Sequence, residues 1–188
     1  MNLFTAAETA NNYVTAGVAK TKYSIPKMLV LGILAGLLIG FPSCVTEMAT
    51  FSVTNTSMVR MISGLLFAFG LGTVILTGAE LFTGNTLITM SLLDKKVTLP
   101  AMLKNWLFVY IGNFLGSMLL SAICAYFGWL SAGSNALAVS AMKMAVGKMT
   151  MPFQNAFFMG VLCNILVTIG VLMSLSGKDG TSRFIGAW

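Results

Sequence analysis

Apolar residues in this chain gather in long runs and do not alternate with polar ones. The first run, Met-Leu-Val-Leu-Gly-Ile-Leu-Ala-Gly-Leu-Leu-Ile-Gly-Phe from Met28 to Phe41, fades toward Glu47. A membrane-crossing helix needs about 20 mostly apolar residues, which predicts a span over about 27–46. Two later runs predict spans over about 106–130 and about 156–175. Trp106, Tyr126 and Trp129 stand near the ends of the former, where aromatic belts belong. Residues 1–26 are mixed and predict a polar or amphipathic N-terminal segment. Residues 134–148 predict a short surface helix.

The run from Met58 to Leu93 does not fit this pattern. Its 36 residues would extend about 54 Å as one straight helix, against a hydrocarbon core of about 30 Å. They are too few for two spans and a turn. At their centre lies Thr77-Gly-Ala-Glu80-Leu81-Phe82-Thr83-Gly84-Asn85. Irregular, polar backbone at membrane depth persists only where it is buried in protein or lines a cavity. The economical reading is one span, 58–93, broken into half-helices near 78–85; a helix merely kinked at its glycines is the alternative. Discontinuous helices of this kind mark substrate sites in transport proteins.

Small residues recur at four-residue spacing. Gly32, Gly36 and Gly40 lie on one face of the first span, and Gly112 and Gly116 on the third. Such GxxxG faces let two backbones approach closely. Asn164 sits mid-way along the fourth span. A polar residue at that depth faces protein or a water path, and interhelical hydrogen bonding serves it equally well.

Composition supports the membrane reading. The chain is 57% hydrophobic and 9% charged, with a mean hydropathy of +0.89, where soluble domains carry about 25% charged residues. It has no histidine and only 5 acids, so no nucleophile–base pair can be assembled and an enzyme is not expected. No phosphate-binding loop of the GxxxxGK[ST] type is present, and no cofactor or metal site is expected. Cys44, Cys124 and Cys163 are scattered singly and read as packing residues. The net charge of +6 is a topology signal and not a nucleic-acid footprint. Lys20, Lys22, Lys27, Lys95, Lys96, Lys104, Lys178 and Arg183 fall on one side of the predicted spans. Arg60, Lys143 and Lys148 fall on the other. That bias predicts a multi-pass protein of the cell (inner, cytoplasmic) membrane with its N-terminus in the cytoplasm. Lys148 runs against the bias.

Three segments carry a resemblance. Gly78-Ala-Glu-Leu-Phe-Thr83-Gly-Asn85, Lys104-Asn-Trp-Leu-Phe-Val-Tyr-Ile-Gly-Asn113 and Gly160-Val-Leu-Cys-Asn164 resemble the formate/nitrite transporter family, and Lys27 to Gly36 is similar to its first helix. The likeness extends from about residue 20 to the last residue, 188. It implies an all-α integral membrane protein, an aquaporin-like helix bundle built as an inverted repeat of three plus three spans. It also implies a homopentamer in which each protomer has its own pore. The function it implies is a channel or transporter for small monovalent anions such as formate, nitrite or hydrosulfide, passive or proton-coupled.

Residue by residue, the resemblance places Thr83 in the pore. It places Leu71, Leu81, Phe82 and Val167 at apolar constrictions, with Phe67 beside them. Lys148 matches a lysine that gives the outer vestibule its positive charge, and Asn164 an asparagine near the pore centre. One departure is large: the family carries a histidine in its fifth span. Here an apolar segment only begins at Phe184. The expectation is therefore an inverted-repeat fold truncated after the fourth span, a fragment of a longer protein whose residues alone do not close a pore. A non-transporting truncated or scaffold subunit is the alternative. An aquaporin-like pore for neutral solutes is disfavoured, because the chain has no Asn-Pro-Ala triplet.

Overall fold

The computed structural model describes residues 3–188. Helix α1 (Ala6–Thr21) begins at a capping box: the Glu8 amide donates to the Thr5 hydroxyl, and the Thr5 amide donates to the Glu8 carboxylate at 2.7 Å. These bonds to Thr5 hold the exposed Glu8 carboxyl below the usual carboxylate range. Helix α2 (Ile25–Thr50) starts with Pro26 in its first turn, where the missing N–H has no partner to lose.

The run from 58 to 93 is broken, as its length required. Helices α3 (Thr56–Phe67) and α4 (Phe69–Thr77) follow one another almost without pause. The chain then leaves the helix at Gly78, whose φ of +70° suits glycine. Two short helices, α5 (Phe82–Asn85) and α6 (Ile88–Leu93), carry it on. The break is off-centre. The 22 residues Thr56–Thr77 are long and apolar enough to cross a membrane by themselves. The Glu80 amide donates to the carbonyl of Leu31, only the second turn of α2. The break therefore lies toward the Lys27 end of the bundle.

Helix α7 (Leu99–Tyr126) begins well before Trp106 and ends before Leu130. Pro100 starts it, Lys104 and Asn105 are carried inside it, and Gly128 in the left-handed region ends it before a single 3-10 turn, Trp129–Ser131. Helices α8 (Ala136–Met149), α9 (Phe153–Ser176) and α10 (Gly180–Ala187) complete the chain. The last is a short helix capped by Asp179, whose carboxylate accepts from the Ser182 amide at 2.9 Å.

Among the described residues, four stretches are long and apolar enough to span: α2, α3 with α4, α7 and α9. The most extensive pairing is between α2 and α7, through the glycines of both GxxxG faces. By contrast the first half of α9 is exposed, and Phe157, Phe158, Leu162 and Leu166 are turned outward. Apolar exposure on that scale suits lipid or protein neighbours, not water. The segment just before α1 is tied to the end of α9. The Phe4 amide donates to the Ser176 carbonyl at 2.8 Å, and the Lys178 ammonium lies 5.0 Å above the Phe4 ring. α1 packs along α6.

Candidate functional site

The break frees backbone groups that a continuous helix would pair. Ala79 donates back to Val74 at 3.1 Å and Glu80 to Leu31 at 3.1 Å. A single side chain secures two more, and reaches α2 as well. The Asn113 amide oxygen accepts from the Phe82 N–H at 2.8 Å, while its NH2 donates to the carbonyls of Glu80 at 2.8 Å and Gly32 at 2.9 Å. One carboxamide thus ties α2, the break and α7 together. Replacing it by leucine, of similar size, strands the Phe82 N–H where water is scarce. We expect Asn113→Leu to cost roughly 2–5 kcal/mol, seen as a lower melting temperature of the detergent-solubilised protein. An unchanged melting temperature would contradict this account.

A polar cluster lies beneath the break. Glu80 and Asn85 are 2% and 1% exposed, and Asn105 is fully buried. The Lys20 ammonium, reaching in from α1, donates to Glu80 Oε1 at 2.6 Å and Asn85 Oδ1 at 2.9 Å. Asn85 Nδ2 donates to Glu80 Oε2 at 2.7 Å and Asn105 Oδ1 at 2.9 Å. Asn105 Nδ2 returns to the Lys20 carbonyl at 3.2 Å, closing the circuit. Trp106 Nε1 donates to the Asn85 carbonyl at 2.9 Å, and the Tyr13 hydroxyl to the Gly84 carbonyl at 2.8 Å. Burial, with the Glu80 charge nearby, pushes the Tyr13 hydroxyl well above its ordinary pKa, so it stays a neutral donor. The sequence pattern did not select Lys20, Asn85, Asn105 or Asn113. The one signal available was Glu80 itself, since a carboxylate at that depth requires a cation.

Leu81 lines three cavities, two of which it shares with Leu71. The smaller of those two, about 210 Å³, is lined by Tyr13, Lys20, Tyr23, Leu71, Glu80 and Leu81. The larger, about 510 Å³, lies on the far side against α9 and α10. Phe67, Leu71, Leu81, Thr83 and Val167 all line it. Leu71 and Leu81 line both cavities and stand between them. Among the described residues, no hydrogen bond engages the Thr83 hydroxyl. Its carbonyl accepts from Thr86 at 2.7 Å.

The other three residues singled out from sequence do not line the larger cavity, although Phe82 shares another with Leu81 and Thr83. The Phe82 ring packs edge-on against Tyr110 and Trp106, with centroids 5.4 and 6.0 Å apart, and lines a third cavity of about 380 Å³. Asn164 does not line the larger cavity, although Cys163 does. Its Nδ2 donates to the Thr86 hydroxyl at 3.0 Å, while its Oδ1 is buried without a partner. Lys148 occupies the last turn of α8, exposed and apart from these cavities.

The chain is similar to several known proteins. The formate channel BtFdhC of Bacillus thuringiensis is 31% identical over 178 residues, which cover 93% of this chain and 68% of that protein. The formate channel FocA of Haemophilus influenzae is 30% identical, over 86% of this chain and 59% of its own length. A solved pentameric formate channel with formate bound superposes with a TM-score of 0.76 at 29% identity, over 87% of this chain and 65% of that one. An ion channel of the same family superposes with a TM-score of 0.84 at 25% identity, over 97% of this chain and 73% of the other. This chain thus spans about three fifths to three quarters of the length of each. The family described as Formate/nitrite transporter matches residues 7–188, and the chain belongs to it.

Proposed function

We propose that this chain contributes the broken-helix wall of a transmembrane pathway for small monovalent anions, with formate, nitrite and hydrosulfide as the substrate class. The observation that carries the reading is the larger cavity. It offers one uncommitted hydroxyl, Thr83, in an apolar surround of Phe67, Leu71, Leu81 and Val167. A bare anion at the bilayer centre is costly. A hydroxyl can donate to it within that apolar surround. The same apolar surround raises the pKa of a weak acid by desolvation and favours crossing as the neutral species. Lys148, on the less basic side of the bundle, raises the local anion concentration at the entrance by its field. Asn164 presents its amide close behind Thr86, and Phe82 braces the short helix that carries Thr83.

The formate-bound, pentameric relative supports formate as a substrate and a homopentamer as the assembly. The uneven lysine distribution supports a cytoplasmic N-terminus. Thr83→Val keeps the shape and removes the donor. A hydrogen bond to a charged group contributes about 1.5–3 kcal/mol, so formate flux into proteoliposomes is expected to fall roughly tenfold or more with oligomer size unchanged. The same assay with nitrite and hydrosulfide ranks the substrates. Undiminished flux through the valine variant would remove Thr83 from the pathway.

A further inference from the structure

The pairing of α2 with α7 ends in chemistry that the anion pathway does not use. The two helices run parallel in constant register: Gly32 meets Gly112, Gly36 meets Gly116, Gly40 meets Leu120 and Cys44 meets Cys124. A Cβ on Gly32 would lie 3.0 Å from the Gly112 Cα, and one on Gly40 2.5 Å from Leu120 Cδ2. At the last rung Cys44 Sγ and Cys124 Sγ are 3.6 Å apart, both reduced and half-buried. They open onto an apolar groove of about 520 Å³ lined by Phe41, Met48, Ile123 and Phe127. The two cysteines, read singly in the sequence, are thus a pair.

We propose that Cys44 and Cys124 form a modification site, a dithiol that closes to a disulfide and staples α2 to α7. A disulfide has an S–S bond of about 2.05 Å and needs α-carbons about 4.4–6.8 Å apart. The glycine seam holds the two backbones close, and small χ1 rotations at each cysteine bring the sulfurs the remaining distance. The oxidant is a disulfide donor, either a small molecule or a thiol oxidoreductase. One cysteine gives its proton to solvent, and its thiolate attacks a donor sulfur. That forms a mixed disulfide and expels the first donor thiolate. The second cysteine, deprotonated likewise, attacks the cysteine sulfur of the mixed disulfide, forming the Cys44–Cys124 bond and expelling the second donor thiolate. Two electrons pass to the donor, and its two thiolates take up the two protons.

The staple acts on the site at a distance. α2 supplies the Leu31 and Gly32 carbonyls, and α7 supplies Asn113, the groups that hold the break. Fixing the two helices at one rung fixes the relative height of those groups.

Oxidised glutathione, applied to the protein purified in detergent, tests this. Peptide mass spectrometry should show a Cys44–Cys124 cross-linked peptide that dithiothreitol reverses, with Cys163 outside it. The oxidised protein should melt about 5 °C or more above the reduced one, as expected for closing so long a loop. C44S and C124S should show neither the cross-link nor the rise, and should keep a single glutathione adduct on the remaining partner. Stable glutathione adducts on Cys44 or Cys124 of the wild type, two thiols that stay free, or an equal rise in C44S would overturn the proposal.

Discussion

Lys20→Met is expected to destabilise the protein by about 3–5 kcal/mol, although the residue lies in a helix that precedes the first span. Methionine keeps the apolar stem and removes the ammonium. Glu80, 2% exposed, then loses its 2.6 Å partner, and Asn85 Oδ1 loses its donor. An unpaired carboxylate in that position is the costly outcome, more than the loss of the pair as such. A second substitution separates the two effects. Glu80→Gln in the Lys20→Met background removes the stranded charge, so the double variant should recover much of the loss. Denaturation of all four proteins in detergent gives the coupling term. Strictly additive losses would show that the two residues do not act as a pair.

Gly116→Val should abolish the folded species, a loss above about 4 kcal/mol. A Cβ at this position would collide with the Ile33 carbonyl oxygen, and would lie 2.9 Å from the Ile33 carbonyl carbon and 3.1 Å from the Gly36 Cα. All three are backbone atoms in the middle of a helix, so nothing yields unless α2 and α7 part. With them would go the register that sets Asn113 against Gly32. Gly147→Val is the matched control, because nothing lies within 4 Å of its Cβ. Size-exclusion profiles of the two variants should differ sharply. Similar profiles would mean that the close glycine contact does not govern the packing.

The spans were legible because hydropathy is a local property: a run of apolar residues announces itself without reference to any partner. The glycine faces were legible for the same reason, since a spacing of four marks one side of a helix whatever lies opposite. The break could be read from a mismatch between the length of a run and the thickness of a bilayer. Its height could not, because that depends on the bond between Glu80 and Leu31, 49 positions apart. The polar cluster was illegible on similar grounds. Lys20 looks like one more flanking charge and Asn105 like a polar boundary before Trp106. Each is explained only by partners 20 to 85 positions away. Phe82 shows a finer limit. Leu81, Phe82 and Thr83 all line one cavity, yet only Leu81 and Thr83 also reach the larger one, and sequence alone does not say which of the three would do so.

The cluster around Glu80 also dictates an order of assembly. Its members come from α1, from the break and from α7, so the ribosome delivers them in three instalments. Glu80 can meet Lys20 while the chain is still short, and Asn85 joins soon after. Asn105 and Asn113 arrive only when α7 has been made. Until then the Phe82 N–H and the Glu80 carbonyl have no Asn113 to bond, and the second span cannot settle into its final shape. Insertion of this protein is therefore not a succession of independent helices. The broken span must wait, half-finished, for the helix that follows it, and agents that delay α7 should expose that pause.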